Sequence, residues 1–216
     1  MKNSQVIAVD LDGTLTLIDT LHESVLTLVR SKPYFLLLLP FWLLYGIAHL
    51  KKKVAENCDL DVTMLPYNQP FIDWLKEEKL RGKKIVLSTA ANEKIAKQVV
   101  RNFDFFDEFI ASNSTTNLKS ARKRDALQER YGGKGYDYAG NSNDDLEVWA
   151  DASNAIVVNA SENVLKKAST LTHVTQVFRP ERARITVWLK AIRIHQWLKN
   201  LLLFVPLLAA HQIGNA

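Results

Sequence analysis

Asp10 and Asp12 stand two positions apart at the end of the apolar run Val6-Ile7-Ala8-Val9, and Gly13-Thr14 follow at once. A buried strand that ends in two carboxylates puts charge where desolvation is costly, so the pair calls for a partner, most simply a metal ion. In an open α/β sheet the carboxyl end of a strand is also where ligands sit. A plain turn would use the same residues as turn formers, with Gly13 in the left-handed region. Three further strings set polar side chains at candidate junctions. Ile85-Val86-Leu87 runs into Ser88-Thr89, Lys119 and Lys123 fall one helical turn apart, and Tyr138-Ala139-Gly140 leads into Asn141-Ser142-Asn143-Asp144-Asp145. Singly, each reads as local structure: a helix cap before Glu93, a solvated charged helix, and an Asx turn.

The elements that would position these groups follow from periodicity and punctuation. Strands are expected over 6–10, 85–88, 108–111, 136–139, 156–158 and, as an edge, 174–178. Helices are expected over 21–30, 71–79, 93–101, 119–131, 146–150 and 161–170. Gly132-Gly133 is the C-cap of one helix and Ser161 the N-cap of another. Strands that alternate with helices predict a parallel sheet.

The chain has 216 residues, 47% of them hydrophobic, and a net charge of +5, which suits one α/β domain plus extra segments. Its basic residues lie beside apolar runs and form no nucleic-acid module, so no nucleic-acid partner is expected. Cys58 is the single cysteine, which excludes an intrachain disulfide and fits a reducing compartment. The first apolar run is four residues long and ends at Asp10, too short for a signal peptide.

The string Asp-Leu-Asp-Gly-Thr-Leu at 10–15 resembles motif I of the haloacid dehalogenase-like (HAD) phosphohydrolases. The resemblance implies an HAD-like Rossmannoid parallel sheet with a helical cap inserted after strand one. The core would be 1–18 and 71–178, and the cap 19–70. It further implies that Asp10 is the nucleophile forming an aspartyl-phosphate and that Asp12 is the general acid/base. Thr89 would hydrogen-bond the phosphoryl group, with Ser88 as the alternative. Lys119, by its spacing ahead of Asn141, would neutralise nucleophile and phosphate, with Lys123 as the alternative. Mg²⁺ would be held by Asp10, Asp12, Asn141 and Asp145. Asn141 departs from the family, which has an acidic residue there. An amide carbonyl still ligates Mg²⁺, but one negative charge is lost and weaker metal binding is expected. The resemblance thus implies a phosphatase acting on phosphate monoesters.

The insert has an unusual centre. Residues 34–50 are strongly apolar, broken by Pro40 and Gly46. As one helix they would rise roughly 25 Å, short of a ~30 Å hydrocarbon core. Arg30 and Lys32 precede the stretch and Lys51–Lys53 follow it, and Asp10 and Thr89 on either side must meet in one site. A re-entrant or interfacial helical pair, kinked at Pro40 and in contact with a membrane surface, is expected. From 179 a basic linker leads into a Trp- and Leu-rich tail, expected to form a C-terminal amphipathic, membrane-associated helix. Its string Ile-His-Gln-Trp-Leu-Lys-Asn-Leu-Leu-Leu-Phe-Val-Pro-Leu resembles the entry to the first membrane helix of UbiA-type prenyltransferases, above all those that transfer phosphoribose to decaprenyl phosphate. The chain resembles the first third of a HAD domain fused to such an enzyme. That implies a UbiA-type prenyltransferase as partner, the cytoplasmic face of the inner membrane as location, and a lipid-linked sugar phosphate as substrate. No prenyl transfer is expected, because the Asp-rich motifs are not reached. Two alternatives stand beside this: a soluble small-molecule phosphatase of phosphoserine-phosphatase type, and a non-catalytic scaffold for a prenyltransferase.

Overall fold

Val6–Val9 forms β1, and burial explains its composition. Ile7, Ala8 and Val9 are all inaccessible, as a central parallel strand covered on both faces requires. In this computed structural model, which describes residues 5–113 and 117–179, the other strands are β2 (Lys84–Asn92), β3 (Glu108–Ser112), β4 (Asp137–Gly140), β5 (Asn154–Val158) and β6 (His173–Phe178). They form one parallel sheet in the order β3-β2-β1-β4-β5-β6. Val9 pairs with Leu87 on one side and Ala139 on the other. That register brings the ends of β1, β2 and β4, and so the polar junctions after them, to one edge.

The side-chain alternation of the strands sorts the core into two halves. Ile7, Val9, Leu87, Ile156 and Val158 face one apolar cluster, with Phe71 and Leu75 of α4 (Gln69–Leu80) and Ile95 and Val99 of α5 (Glu93–Asn102). Ala8, Tyr138, Ala155 and Val157 face the other, with Leu127 of α6 (Ala121–Tyr131), Trp149 of α7 (Leu146–Asp151) and Val164 of α8 (Glu162–Leu171). Trp149 is wholly buried, and its indole N–H donates to the Tyr138 carbonyl at 3.0 Å, satisfying the one polar atom it carries. The Ser161 hydroxyl caps α8, accepting from Val164 N.

Between β1 and α4 the chain inserts α1 (Thr20–Ser31), α2 (Phe35–Leu44) and α3 (Ile47–Asn57). The insert leaves and rejoins the core side by side, tied by Leu17 N to Pro66 O at 2.8 Å and Asn68 N to Leu15 O at 2.9 Å. Asp19 caps α1, accepting from Leu21 N and His22 N. The bend of the apolar stretch is at Gly46, not at the expected Pro40. Pro40 lies inside α2, whereas Gly46 has φ +98°, a value that a chain reversal needs and that proline's ring forbids. α2 is 10 residues long, about 15 Å. Among the described residues no helix is long and apolar enough to cross a membrane. The expected tail helix at 179–216 lies outside the described residues beyond Arg179.

Two elements differ from the sequence reading in ways that matter for the site. β2 continues past Ser88 to Asn92, with a shift in its pairing to β3 between Thr89 and Asn92. The helix expected from Lys119 begins only at Ala121, after Ser120 at φ +48°.

Candidate active site

Asp10 continues β1 by one residue, its N–H donating to Ala139 O at 3.0 Å. Its side chain is buried, and Lys123 Nζ donates to Asp10 Oδ1 at 2.8 Å. Lys123 is buried too. It also donates to Tyr138 Oη at 2.9 Å and lies 3.7 Å from Asp145 Oδ1. Tyr138 Oη in turn donates to Asp145 Oδ1 at 2.7 Å. A buried ammonium is thus shared between two buried carboxylates and a phenol, the paired arrangement a charge needs in such a place.

The expected role of Lys119 does not fit this geometry. Lys119 precedes α6, is mostly exposed, and pairs with Asp144 at 3.0 Å. Because α6 starts after it, Lys119 is not carried on the helical face that buries Lys123 and Leu127. Lys123 is the lysine on Asp10.

Asp145 lies in the site, but not as a free ligand. Its Oδ2 accepts from Asn141 N and Ser142 N, both at 3.0 Å, and from Ser142 Oγ at 3.2 Å, while Oδ1 takes Tyr138. These bonds make it a clamp on the loop after β4, and it also lines the cleft with Asp10, Asp12 and Asn141. Gly140 is required beneath it, since a Cβ there would come within 2.7 Å of the Asp145 carboxyl carbon.

Asp12 stands at the start of α1, where Thr20 N donates to its Oδ1 at 2.7 Å. That contact and the positive end of the helix favour the carboxylate, yet burial outweighs them and holds the Asp12 carboxyl above its ordinary range. Burial also pushes Asp10 up to about 7; Lys123 works against this, and Asp145 and Asp12 add to it. Burial disfavours the Lys123 charge, but Asp10 and Asp145 prevail and hold the ammonium above its usual range.

Asn141 packs on the turn of motif I. Gly13 has φ +74°, and a Cβ there would lie 2.0 Å from Asn141 Nδ2. From another side, Asn159 Nδ2 donates to Gly13 O at 3.2 Å. Asp10, Asp12, Asn141 and Asp145 all line one cleft of about 410 Å³, together with Lys119, Lys123 and Asp144. Among the described residues no three His, Cys, Asp or Glu side chains group to hold a metal by themselves. The expected donors are the carboxylates of Asp10 and Asp145, the backbone carbonyl of Asp12 and the amide of Asn141, all oxygen, which suits a hard divalent ion completed by solvent or substrate.

Ser88 and Thr89 are both inaccessible, and the cleft wall at their junction is Ala90. Thr89 Oγ1 accepts from Ala91 N at 2.9 Å, whereas Ser88 Oγ has no hydrogen-bond partner among the described residues.

The sequence reading missed Lys51 and Tyr138. Lys51 comes from α3 of the insert, and its Nζ donates to Ala90 O at 2.7 Å and to Asn117 Oδ1 at 3.3 Å. The pairing shift in β2 takes Ala90 out of the ladder with β3. Its carbonyl accepts from Lys51 and from Ser112 Oγ at 2.9 Å. Burial lowers the Lys51 ammonium from its usual range, with Asp12 and Asp19 pulling it back. In the sequence Lys51 stands only as a flank of the apolar stretch. Its signal is its place in the stripe Lys51, Val54, Ala55, a charge on the buried side of a helix. Lys94 of α5 makes a second tie, donating to Ala55 O and Cys58 O at the end of α3.

No family model matches the chain. An uncharacterized protein of Sinorhizobium fredii, y4nM, is 36% identical over 200 residues, which are 92% of this chain and 38% of that protein. The chain therefore spans well under half the length of this relative. A HAD family hydrolase from Salmonella enterica serovar Typhi superposes with a TM-score of 0.57 at 14% identity, over 79% of this chain and 66% of that one. A phospho-aspartyl intermediate analogue of phosphoserine phosphatase superposes with a TM-score of 0.57 at 14% identity, over 85% of this chain and 97% of that one. The fold is that of the HAD hydrolases.

Proposed function

We propose that the chain is a phosphate-monoester hydrolase working through an aspartyl-phosphate on Asp10. The observation that carries this is the buried pair of Lys123 and Asp10 at the tip of the central strand, with Asp12 two residues on and a cleft in front. Asp10 attacks phosphorus while the ester P–O bond breaks, and the leaving oxygen takes the proton of Asp12. Burial raises the Asp12 carboxyl in the direction a general acid needs, and the Thr20 N–H fixes one of its oxygens, leaving the other for the transfer. Water then gives its proton back to Asp12 and attacks the acyl-phosphate, releasing inorganic phosphate and restoring Asp10. Lys123 compensates the charge on Asp10 and the phosphoryl oxygens throughout. Asp10, Asp12 through its backbone carbonyl, Asn141 and Asp145 are the residues that would hold Mg²⁺, which would supply charge stabilisation at the phosphoryl oxygens. The superposition on a phospho-aspartyl form of phosphoserine phosphatase supports this chemistry.

The substrate we favour is a lipid-linked sugar phosphate, on the cytoplasmic membrane face and beside a UbiA-type prenyltransferase. It is supported by the likeness of the tail to a prenyltransferase entry helix and by the apolar insert over the cleft. A second reading, a scaffold without turnover, is favoured by Asn141 in place of an acidic ligand.

Phosphate release from p-nitrophenyl phosphate, with and without Mg²⁺, separates the two readings. Mg²⁺-dependent turnover that Asp10→Asn abolishes is the expected result. No turnover on this ester or on a lipid-linked sugar phosphate, in wild type and in Asn141→Asp alike, would overturn the hydrolase.

A further inference from the structure

We propose that α2 and the turn that follows it are an interfacial anchor that seats this domain on an anionic lipid surface. Every one of the ten residues of α2, Phe-Leu-Leu-Leu-Leu-Pro-Phe-Trp-Leu-Leu, is apolar. A helix on a protein surface ordinarily has a polar face, and one that is apolar all round belongs inside a core or in lipid. α2 is neither polar on one side nor buried. Phe35 packs inward against Trp42 with ring centroids 5.3 Å apart. Outward stand Leu36, Leu37, Phe41, Leu43 and Leu44, with Leu37 74% and Leu44 83% exposed, and Tyr45 beyond them is 78% exposed. Single exposed leucines need no explanation, but a contiguous patch does.

Charge decides what covers the patch. No acidic residue occurs from Ser24 to Ala55; Arg30 and Lys32 flank the helix on one side, and on the other stand Lys52 and Lys53, whose two charges Glu56 offsets only in part. Anionic headgroups complement such a ring of basic residues. A second copy of the chain would bring the same positive ring against itself. Tyr34 and Tyr45 stand at the two ends of α2, where amphipathic rings sit at a headgroup boundary.

The geometry is interfacial rather than spanning. At about 15 Å, α2 is half the thickness of a hydrocarbon core. Its two ends run into α1 and α3, which pack on each other. Ile47, exposed at the start of α3, also lines the cleft. The anchor therefore sets the cleft beside the lipid surface. This inference does not depend on turnover.

The test is co-sedimentation of the full chain with phosphatidylcholine vesicles, with and without phosphatidylglycerol. Binding that phosphatidylglycerol strengthens is expected, and the triple variant Leu37→Glu, Phe41→Glu, Leu44→Glu should lose it by at least about tenfold. These side chains face outward, so an unchanged melting temperature is the control. Equal binding by the triple variant would overturn the proposal and leave the segment 181–216 as the anchor. So would a wild type that ignores vesicles, or one that is a dimer the variant dissociates. A nitroxide at Leu44→Cys gives an independent reading, because Cys58 is buried. Vesicles should shield it from a water-borne relaxation agent, and a label that stays accessible refutes the anchor even if the triple variant misfolds.

Discussion

Gly13→Ala tests how tightly the loop after β4 is built onto the loop after β1. An alanine at φ +74° costs roughly 1–2 kcal/mol for its left-handed backbone. Its Cβ would also stand 2.0 Å from Asn141 Nδ2 and 3.1 Å from Asn141 Cγ, an overlap that side-chain or loop movement relieves at about 1–3 kcal/mol. The expected destabilisation is the sum, about 2–5 kcal/mol. Asn141→Ala removes both overlapping atoms. In that background Gly13→Ala should cost only the backbone part, about 1–2 kcal/mol. The two substitutions should therefore couple by about 1–3 kcal/mol in a double-mutant cycle. Urea denaturation of the four proteins, without metal, measures it. An equal penalty for Gly13→Ala with and without the Asn141 amide would refute the packing. It would also remove the reason for placing Asn141 beside Asp10 and Asp12.

Lys123→Met should cost about 3–5 kcal/mol, because it leaves Asp10 and Asp145 buried without their cation. The exposed partner of Asp144, in Lys119→Met, should cost under about 1 kcal/mol; denaturation midpoints compare the two, and equal losses would contradict the assignment to Lys123. Asp10 is raised to about 7 in the metal-free fold against ~3.9 in an unfolded chain, so the folded state holds the proton between these values. Its stabilising share is full below pH ~4 and is lost as the pH rises to about 7. The stability difference between wild type and Asp10→Asn should fall across that window, and a rise would show the opposite sign. Lys51→Met removes a charged donor at the cleft, and KM for a phosphate monoester should rise by about tenfold or more, read from initial rates.

The fold was legible where burial alone dictates residue type. The run Val6–Val9 has no use except in a strand covered on both faces, and the carboxylates that end it mark the functional edge. What the sequence hid were choices made by backbone geometry. Lys119 and Lys123 sit one turn apart in a charged segment, and nothing local distinguishes them. The late start of α6, after Ser120 at φ +48°, decides which lysine lies on the face of Leu127. Asp145 reads as a ligand by position, and only the convergence of Tyr138 and two backbone N–H groups shows that its oxygens also hold the loop after β4. Pro40 and Gly46 are both breakers by composition, yet only the glycine reaches the dihedral that the hairpin requires. Lys51 is hidden for another reason: its partner Ala90 is offered by an irregularity in a strand 39 residues away.

The central place of β1 has a consequence for biosynthesis. Of the six strands β1 is made first, yet the charge that satisfies Asp10 lies 113 residues downstream. At about 5–20 residues per second, the nascent chain waits roughly 6–23 s between the two. Throughout that interval a closed sheet would enclose an uncompensated carboxylate, so the N-terminal strand must stay open to water or to a chaperone. The pair that equips the site for chemistry is also the one that delays its assembly until α6 has been made.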